Sequence, residues 1–446
     1  ILRLNSADVK VSGGPTQYLT DTTFSAVGNS PDQGMPNERY TNIAGGEYVA
    51  YVFAHDESDD GSSLIKCGSY TGTGAAGNEI DLGFEPQFVW IKAASGTGDW
   101  EVLDAMRGIT AGGEDAYIRL NQPYVEGEQA VMALTPTGFV LDTNWNDVNA
   151  GTIEYIYMAI RRPNKPAEEF EPEELFAVGD YVGTGEDGLT LAPSGFPVDF
   201  AMQFQNYQAG TAYQYTSSRL TAGKSLVTYS NAAEATEVQA WDDMEGVSLN
   251  NHGNSYPRVQ HMWRRAPGHF DVVAYEGDGA SHSHKHNLGV TPELKIIKIR
   301  DDEFDWAVGG DIVTGGTRDY MLSLNTSSPK ANTSYWGTTD SESEFSVVAS
   351  NFLTNAAGKN YIAYLFASLP GVSKVGTYTG TGDDIEVDCG FTNGSRFVLI
   401  KRTDSTGDWY VWDSERGMVY DNSSYLLLNS SAGQVTGMKY VVSASS

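Results

Sequence analysis

Apolar residues along the chain fall in short runs, set off by glycine, proline and small polar residues rather than spaced at helical intervals. Phe88-Val-Trp-Ile-Lys92, Phe200-Ala-Met-Gln-Phe204, Leu294-Lys-Ile-Ile-Lys298 and Phe397-Val-Leu-Ile-Lys401 each follow a Gly or Pro by a few residues. Runs so short and so bounded predict buried strands, since a helix needs roughly ten or more residues of sustained periodicity. Three further runs, Tyr48-Val-Ala-Tyr-Val-Phe53, Tyr155-Ile-Tyr-Met-Ala-Ile160 and Tyr361-Ile-Ala-Tyr-Leu-Phe366, are apolar on both faces. Such a strand is predicted to be central in its sheet, or to turn one face to a neighbouring unit.

These runs belong to a repeat. A turn recurs as Tyr70-Thr-Gly-Thr-Gly74, Tyr181-Val-Gly-Thr-Gly185, Tyr275-Glu-Gly-Asp-Gly279 and Tyr378-Thr-Gly-Thr-Gly382, its tyrosines 111, 94 and 103 residues apart. Asp-Trp follows at Asp99-Trp100, Asp305-Trp306 and Asp408-Trp409, while the second copy has Ala212-Tyr213 nearby instead. A Leu-Asn step marks the middle of the unit at Leu4-Asn5, Leu120-Asn121, Leu324-Asn325 and Leu428-Asn429. Asn42, Asn149, Asn250 and Asn355 each stand six residues before a tyrosine: Tyr48, Tyr155, Tyr256 and Tyr361. Fixed spacing in four copies marks one unit of roughly 100 residues repeated in tandem.

The units run over 64–165, 166–267 and 268–370. Residues 1–63 carry the back half of a unit, and 371–446 the front part of another. The Pro- and acid-rich connector from Arg162 to Glu174 is expected to be extended and solvated. Ala266-Pro-Gly268 and Leu369-Pro-Gly371 are shorter joins with little slack, which predicts a semi-rigid rod. Strand-length runs with turn signals about every 8–12 residues predict an all-β tandem array of β-sandwich, jelly-roll-like domains. Each is expected to bury its own core. A propeller-like closed ring is the alternative, less suited because a blade needs only about 40–50 residues.

Composition fits this picture, with Gly 49, Tyr 25, Phe 17 and Trp 9 but charged residues only 19%. A formal net charge of −30 argues against a nucleic-acid partner, which would need a basic stripe, and against an anionic membrane surface. No run approaches the roughly 18–20 apolar residues of a membrane helix. Cys67 and Cys389 stand at different places in their repeats, so packing rather than disulfides is expected to hold the fold, assembled in a reducing cytosol. The first residue is Ile1 and no signal peptide follows, so the chain reads as an internal piece of a longer polypeptide.

Several strings carry a family likeness: Phe88-Val-Trp-Ile-Lys92, Tyr155-Ile-Tyr-Met-Ala-Ile-Arg-Arg162, Arg264-Arg-Ala-Pro-Gly268, His286-Asn-Leu-Gly-Val-Thr-Pro-Glu293, Tyr378-Thr-Gly-Thr-Gly382, and Arg396 through Asp408-Trp409 to Arg416-Gly417. Together they resemble a β-rich domain of unknown function repeated in virion structural proteins of marine bacteriophages, including cyanophages. The likeness spans nearly the whole chain, more weakly over the second repeat. It implies a phage-particle component, a tail fibre or simply a structural protein, and brings no catalytic residues. Members of that family are longer, so an attachment region and a receptor-binding tip are expected outside this chain.

The chemistry-bearing clusters are few. His282, His284 and His286 alternate, so on a strand they share one face, and three converging imidazoles suit zinc. The plainer reading, preferred, is a polar strand edge after a turn. Asp56-Glu-Ser-Asp-Asp-Gly61 mimics the start of a calcium loop, but the twelfth position is Cys67, which offers no bidentate carboxylate. Asp104 with Arg107, and Asp413 with Arg416, supply one carboxylate each where a glycosidase needs two, and read as turn anchors before Gly108 and Gly417. The Asp-Trp tryptophans suit sugar stacking, yet their regular recurrence favours packing.

The expectation is a non-catalytic virion protein with no cofactor or metal, a segment of a tail fibre or other appendage, assembled in the host cytoplasm and exposed outside the cell. Its expected partners are other virion proteins and copies of itself, a trimer by analogy with tail fibres. The alternatives are a capsid decoration or head fibre, and a carbohydrate-binding adhesin on a virion or bacterial surface that meets a host glycan. A polysaccharide-degrading spike enzyme lacks acid/base partners.

Overall fold

The computed structural model describes residues 4, 6–10, 46–56, 63–182, 189–205, 214–250, 256–310, 320–333, 335–337, 339–349, 351–419 and 422–438. The chain is all-β. Its first complete module holds β1 (Ile65–Thr71), β2 (Asn78–Asp81), β3 (Pro86–Ala93), β4 (Trp100–Asp104), β5 (Asp115–Arg119), β6 (Gly127–Gln129), β7 (Met132–Thr135), β8 (Gly138–Leu141) and β9 (Glu154–Arg161). The second holds β10 (Phe176–Val182), β11 (Leu189–Pro193), β12 (Phe200–Gln205), β13 (Gln214–Ser218), β14 (Lys224–Ser225), β15 (Ala235–Thr236), β16 (Gln239–Ala240), β17 (Gly246–Asn250) and β18 (Pro257–Trp263). The third holds β19 (Phe270–Glu276), β20 (His282–Lys285), β21 (Leu294–Ile299), β22 (Ala307–Gly309), β23 (Tyr320–Ser323), β24 (Ala331–Asn332), β25 (Glu344–Val347) and β26 (Asn360–Phe366). A half-module follows with β27 (Phe397–Lys401), β28 (Trp409–Asp413), β29 (Ser423–Leu427) and β30 (Val435–Met438).

The large sheets share one order: β1-β9-β3-β4-β5-β6 in the first module, β10-β18-β12-β13 in the second and β19-β26-β21-β22-β23-β24 in the third. Small sheets, β2-β8-β7, β11-β17-β16 and β20-β25, make the second layer of each sandwich. The sheets are separate, and none closes into a barrel among the described residues. In every complete module the final strand lies between the first strand and the Phe/Leu-led strand, the central place its two apolar faces require.

Those two faces serve different cores. In the third module Val273, Ile297, Ile299, Tyr361, Ala363 and Leu365 form the interior of its own sandwich. Phe270, Val272, Ile296, Ile362 and Tyr364, one position out of phase on the same strands, belong to a second interior. That interior also contains Phe200, Met202, Phe204 and Trp263 of the second module, and Trp409, Val411, Leu426 and Leu428 of the half-module. It runs on without interruption into the first module's sandwich core. The expectation that each copy buries its own core therefore holds for one face of each large sheet; in the second and third modules the other face is covered by neighbouring copies, while in the first it is half-buried. Phe200 meets Tyr364 across the second and third modules with ring centroids 4.3 Å apart. Each large side chain buried there contributes roughly 1.5–3 kcal/mol, so separating the modules would be strongly unfavourable.

The connector from Arg162 to Glu174 is not extended and solvated. It forms two 3-10 turns, Ala167–Glu169 and Pro172–Glu174, with Ala167 buried and Phe170 beneath the Arg264 guanidinium. Its apolar residues dock with Leu175, Ala266 and Leu369 in a small core that fastens the joins together. Tyr48–Phe53, predicted as a strand, forms none: Tyr48, Val49, Tyr51, Val52 and Phe53 are all exposed. No strand pairs with it among the described residues. In the half-module the complement holds. Among the described residues β27 is an edge strand, half-buried throughout, where β12 and β21 are almost wholly buried.

Candidate functional site

The residues that recur most regularly turn out to be locks. In the first module Asn149 accepts a hydrogen bond from Thr73 N (2.9 Å) and donates to Ala75 O (2.8 Å) and Thr143 O (2.7 Å), fastening the Tyr-Thr-Gly-Thr-Gly turn to the chain that enters β9. Asn355 does the same in the third module, accepting from Asp278 N (3.1 Å) and donating to Asp278 Oδ1 and Ala280 O. Tyr155 and Tyr361 close the corner: each stacks on the turn tyrosine, Tyr70 or Tyr275, at 5.2 Å, and each hydroxyl accepts from the backbone of Ala150 or Ala356. The first turn glycine allows this approach, because a Cβ on Gly72 would lie 2.1 Å from Ala150 O and one on Gly277 2.3 Å from Ala356 O.

The Asp-Trp and Leu-Asn motifs are two halves of a second lock. Asn121, Asn325 and Asn429 each accept from the tryptophan N–H (2.9, 3.1 and 2.9 Å) and donate to the preceding aspartate (2.7, 2.7 and 2.8 Å). The tryptophan then reaches into the previous module: Trp306 Nε1 donates to Val227 O and Trp409 Nε1 to Ser323 O. Trp306 and Trp409 are buried, so the sugar-stacking role considered for them is not open to their rings; Trp100 is half-buried. Three of the four apolar runs end in a lysine, and in the first module and the half-module that lysine completes the joint. Lys92 Nζ donates to Ala7 O, Asp8 O and Ala93 O, and Lys401 Nζ to Ser327 O, Arg402 O and Gly407 O. Two residues further on, Ala94 O, Arg300 O and Thr403 O accept from Lys10 N, Glu234 N and Lys330 N of the preceding repeat. Burial lowers the pKa of Lys92, Lys401 and Lys298, the last to about 8. The lysines stand in the repeated strings, but a sequence does not say that they face another copy.

Two buried ionic hubs join modules in a way the sequence does not foretell, although its Asp413–Arg416 pair reads there as a turn anchor. The Arg265 guanidinium holds Glu85 of the first module at 2.5 and 3.1 Å and lies 3.6 Å from Asp199 of the second and from Asp271 of the third. Burial works to lower its pKa, but the three carboxylates together hold it above its ordinary value. His261 of β18 donates from Nε2 to Asp413 of β28 at 2.9 Å, and Arg416 pairs with the same carboxylate. Burial lowers the pKa of His261. It also opposes ionisation of Asp413, yet the His261 hydrogen bond and Arg416 outweigh it and bring that carboxyl to about 2. Asp104 holds the Arg107 side chain at 2.7 Å and Arg107 N at 2.8 Å, and Asp413 accepts from Arg416 N at 2.9 Å. Both pairs thus brace the turn before Gly108 (φ 123°) and Gly417 (φ 87°).

The three histidines do not gather into one ligand site. His282 is exposed beside Asp278 (3.3 Å), the His284 ring packs on Tyr275 (3.9 Å), and His286 is buried with Nδ1 accepting from Leu288 N. The three do not converge on one point: among the described residues the group close enough to share an ion is Asp99, Glu101 and Asp147. Arg119 already lies among those carboxylates, 3.3, 3.0 and 3.7 Å away. One guanidinium shared by three acids leaves burial dominant, and Glu101 is pushed up to about 8. The calcium-like loop lies outside the described residues beyond Asp56, as does Ala212-Tyr213. An open depression of about 520 Å³ at the rim of the third module is lined by Phe304, Asp305, Tyr335 and Phe352, with Phe304 and Phe352 stacked at 5.3 Å. No helix among the described residues is long and apolar enough to cross a membrane.

No curated protein matches the sequence. A family model described as a domain of unknown function, DUF7483, matches residues 1–163 and 207–444, and leaves out the connector and the front of the second module. The chain belongs to that family.

Proposed function

We propose that the chain is a non-catalytic structural component of a bacteriophage particle, a segment of a tail fibre or other appendage. The observation that carries this reading is the use of buried tryptophans, lysines and ionic hubs as joints between copies. Trp306 and Trp409, Lys92 and Lys401, and the hubs at Arg265 and Asp413 all tie one module to another. A body fused in this way transmits force and resists bending, as a projecting appendage must. Its net charge of −30 keeps such a surface soluble and away from packaged nucleic acid. Immunogold labelling of purified particles with an antibody to this chain tests the reading. Tail or fibre labelling supports it, labelling confined to the shell makes the chain a head decoration, and unlabelled particles overturn it.

A second reading, contact with a host glycan, is favoured by the depression at Phe304 and Phe352, whose aromatic faces and acidic rim suit a pyranose ring. Phe352 is 55% exposed, in contrast to the buried tryptophans. Glycan-array binding abolished by Phe352→Ala would establish it; an array without signal would remove it.

A further inference from the structure

We infer that Lys295 and Asp340 join covalently, through an amide between Nζ and Cγ that staples the two layers of the third sandwich. Lys295 lies on β21 of the large sheet, on the face that Ile297 and Ile299 turn to the interior, and Asp340 lies in the segment that leads into β25 of the small sheet. Their side chains are 1 and 3% exposed, and Nζ stands 2.5 Å from Oδ2. The matching positions on β3, β12 and β27 hold Val89, Ala201 and Val398, so of the four apolar runs this one alone places a cation there. A buried ion pair adds little to stability over apolar side chains of similar volume, so packing does not account for the substitution.

The surroundings favour condensation. Trp336 covers Nζ, 4.9 Å from its ring centre, and Trp336, Phe345 and Val347 are buried in the same interior. Away from water the charged forms lose their hydration, which brings the neutral amine and acid within reach. Asp340 Oδ1 accepts from Ser346 N at 2.8 Å and from Ser346 Oγ at 3.2 Å, two donors placed for the charge that gathers on that oxygen when Cγ becomes tetrahedral. Ser346 comes this close because residue 337 is glycine: a Cβ there would lie 2.4 Å from Ser346 Cβ. The two carboxyl oxygens thus differ in role, Oδ1 held by Ser346 and Oδ2 beside the amine. One proton passes from the Lys295 ammonium to Oδ2, and the neutral Nζ attacks Cγ. A second proton follows to Oδ2, the Cγ–Oδ2 bond breaks and water leaves, with Oδ1 as the amide carbonyl. Charge balances, and no oxidant, reductant or cofactor takes part. The bond has to form once in the life of a chain, so a slow step suffices. Lys295 and Asp340 are 45 residues apart, and the link closes a loop through both layers that resists unfolding.

The link goes beyond the appendage reading and stands or falls apart from it, because it is a property of the folded chain. Intact-mass spectrometry of the 446-residue chain, folded and then denatured, is expected to give a mass lower than that of the sequence by one water. Trypsin does not cut at an acylated lysine, so digestion should yield a branched product that joins residues 286–298 to residues 331–359. Lys295→Arg keeps a cation opposite Asp340, and Asp340→Ala removes the acyl group; both chains should show their full sequence mass. The parent chain decides the outcome, so a variant that fails to fold does not blur it. A parent chain of full sequence mass, with the two tryptic peptides separate, overturns the inference and leaves an ion pair. So does a lost water that maps elsewhere, as from cyclisation at Asp278-Gly279, or one that persists in both Lys295→Arg and Asp340→Ala.

Discussion

The first and third modules have the same sheet order and the same Asn–Tyr and Asp-Trp–Asn locks, yet they differ in the titratable groups they bury on their flanks. Beside β4 and β5 the first module buries carboxylates: Glu101, flanked by Asp99 and Asp147, and Asp115, which accepts from Thr110 N, Val131 N and Met132 N. Burial raises Glu101 to about 8 and Asp115 to about 6. Around β19 and β20 the third module buries three imidazoles, beside the Arg265-paired Asp271, whose pKa burial raises. Burial lowers His269 and His286 to about 4 and His284 to about 3. The locks that define the fold are thus indifferent to what fills the flanks, and the flanks set how each copy responds to pH.

The sharpest way to break that comparison is to titrate it. Glu101 and Asp115 bind a proton more tightly folded than unfolded. Their contribution to stability is complete below the ordinary carboxylate value of about 4. It is lost as pH rises through about 6 for Asp115 and about 8 for Glu101. The histidines run the other way: below about pH 6.5 the unfolded chain takes protons that the folded module refuses until about pH 4 or 3. Each such group changes stability by on the order of 1 kcal/mol per pH unit inside its window, so the three histidines together amount to several kcal/mol. Hydrogen exchange read peptide by peptide, corrected for intrinsic rate, should show the third module losing protection between pH 6.5 and 4.5. The first should lose it between pH 5 and 8. Protection that moves in the same direction in both modules would contradict the assignment.

Next in size is the tryptophan of the second lock. Trp306 is 1% exposed, sits in the interior shared with the second module and donates to Val227 O; Trp100 is half-buried and its indole packs against Trp90 at 5.2 Å. Trp306→Ala should cost about 3–5 kcal/mol, the range for a large aromatic removed from a packed core. Trp100→Ala should cost clearly less in the same urea titration. Equal losses would mean that the shared interior adds nothing to what each sandwich provides alone.

Much of this architecture was legible in the sequence, because a repeat displays its own internal distances. The strands β3, β21 and β27, the Asn–Tyr spacing and the Asp-Trp step lie where their patterns put them, since each is fixed by contacts within one copy. What could not be read were contacts between copies. His261 and Asp413 are 152 residues apart, and the second module's Asn250 and Tyr256 gave no hint that a histidine between them and the join would meet a fourth-copy carboxylate. A pattern apolar on both faces says that two partners exist, but not which. Hence the rod of self-contained units gave way to modules fused through one interior. The case of Tyr48–Phe53 is the converse, for it has the composition of β26 and no strand. Residue preference supplies the capacity to pair, and only neighbouring strands turn it into a ladder.

The smallest effect tests whether the turn lock is as uniform as its sequence. Gly74 and Gly279 occupy the same place with φ of 72° and 71°, in the left-handed region that penalises a side chain. A Cβ at either finds its nearest neighbour at 3.1 Å, Gly151 N in the first module and Ala357 Cβ in the third, so crowding is modest and equal. Backbone strain should then dominate. Gly74→Ala and Gly279→Ala should each cost about 1–2 kcal/mol, and the two values should agree closely. Asparagine tolerates the left-handed conformation, so Gly279→Asn should recover most of that loss despite its larger side chain. If Gly279→Asn is instead worse than Gly279→Ala, contact with Ala357 rather than φ decides the residue, and the two turns are alike only in sequence.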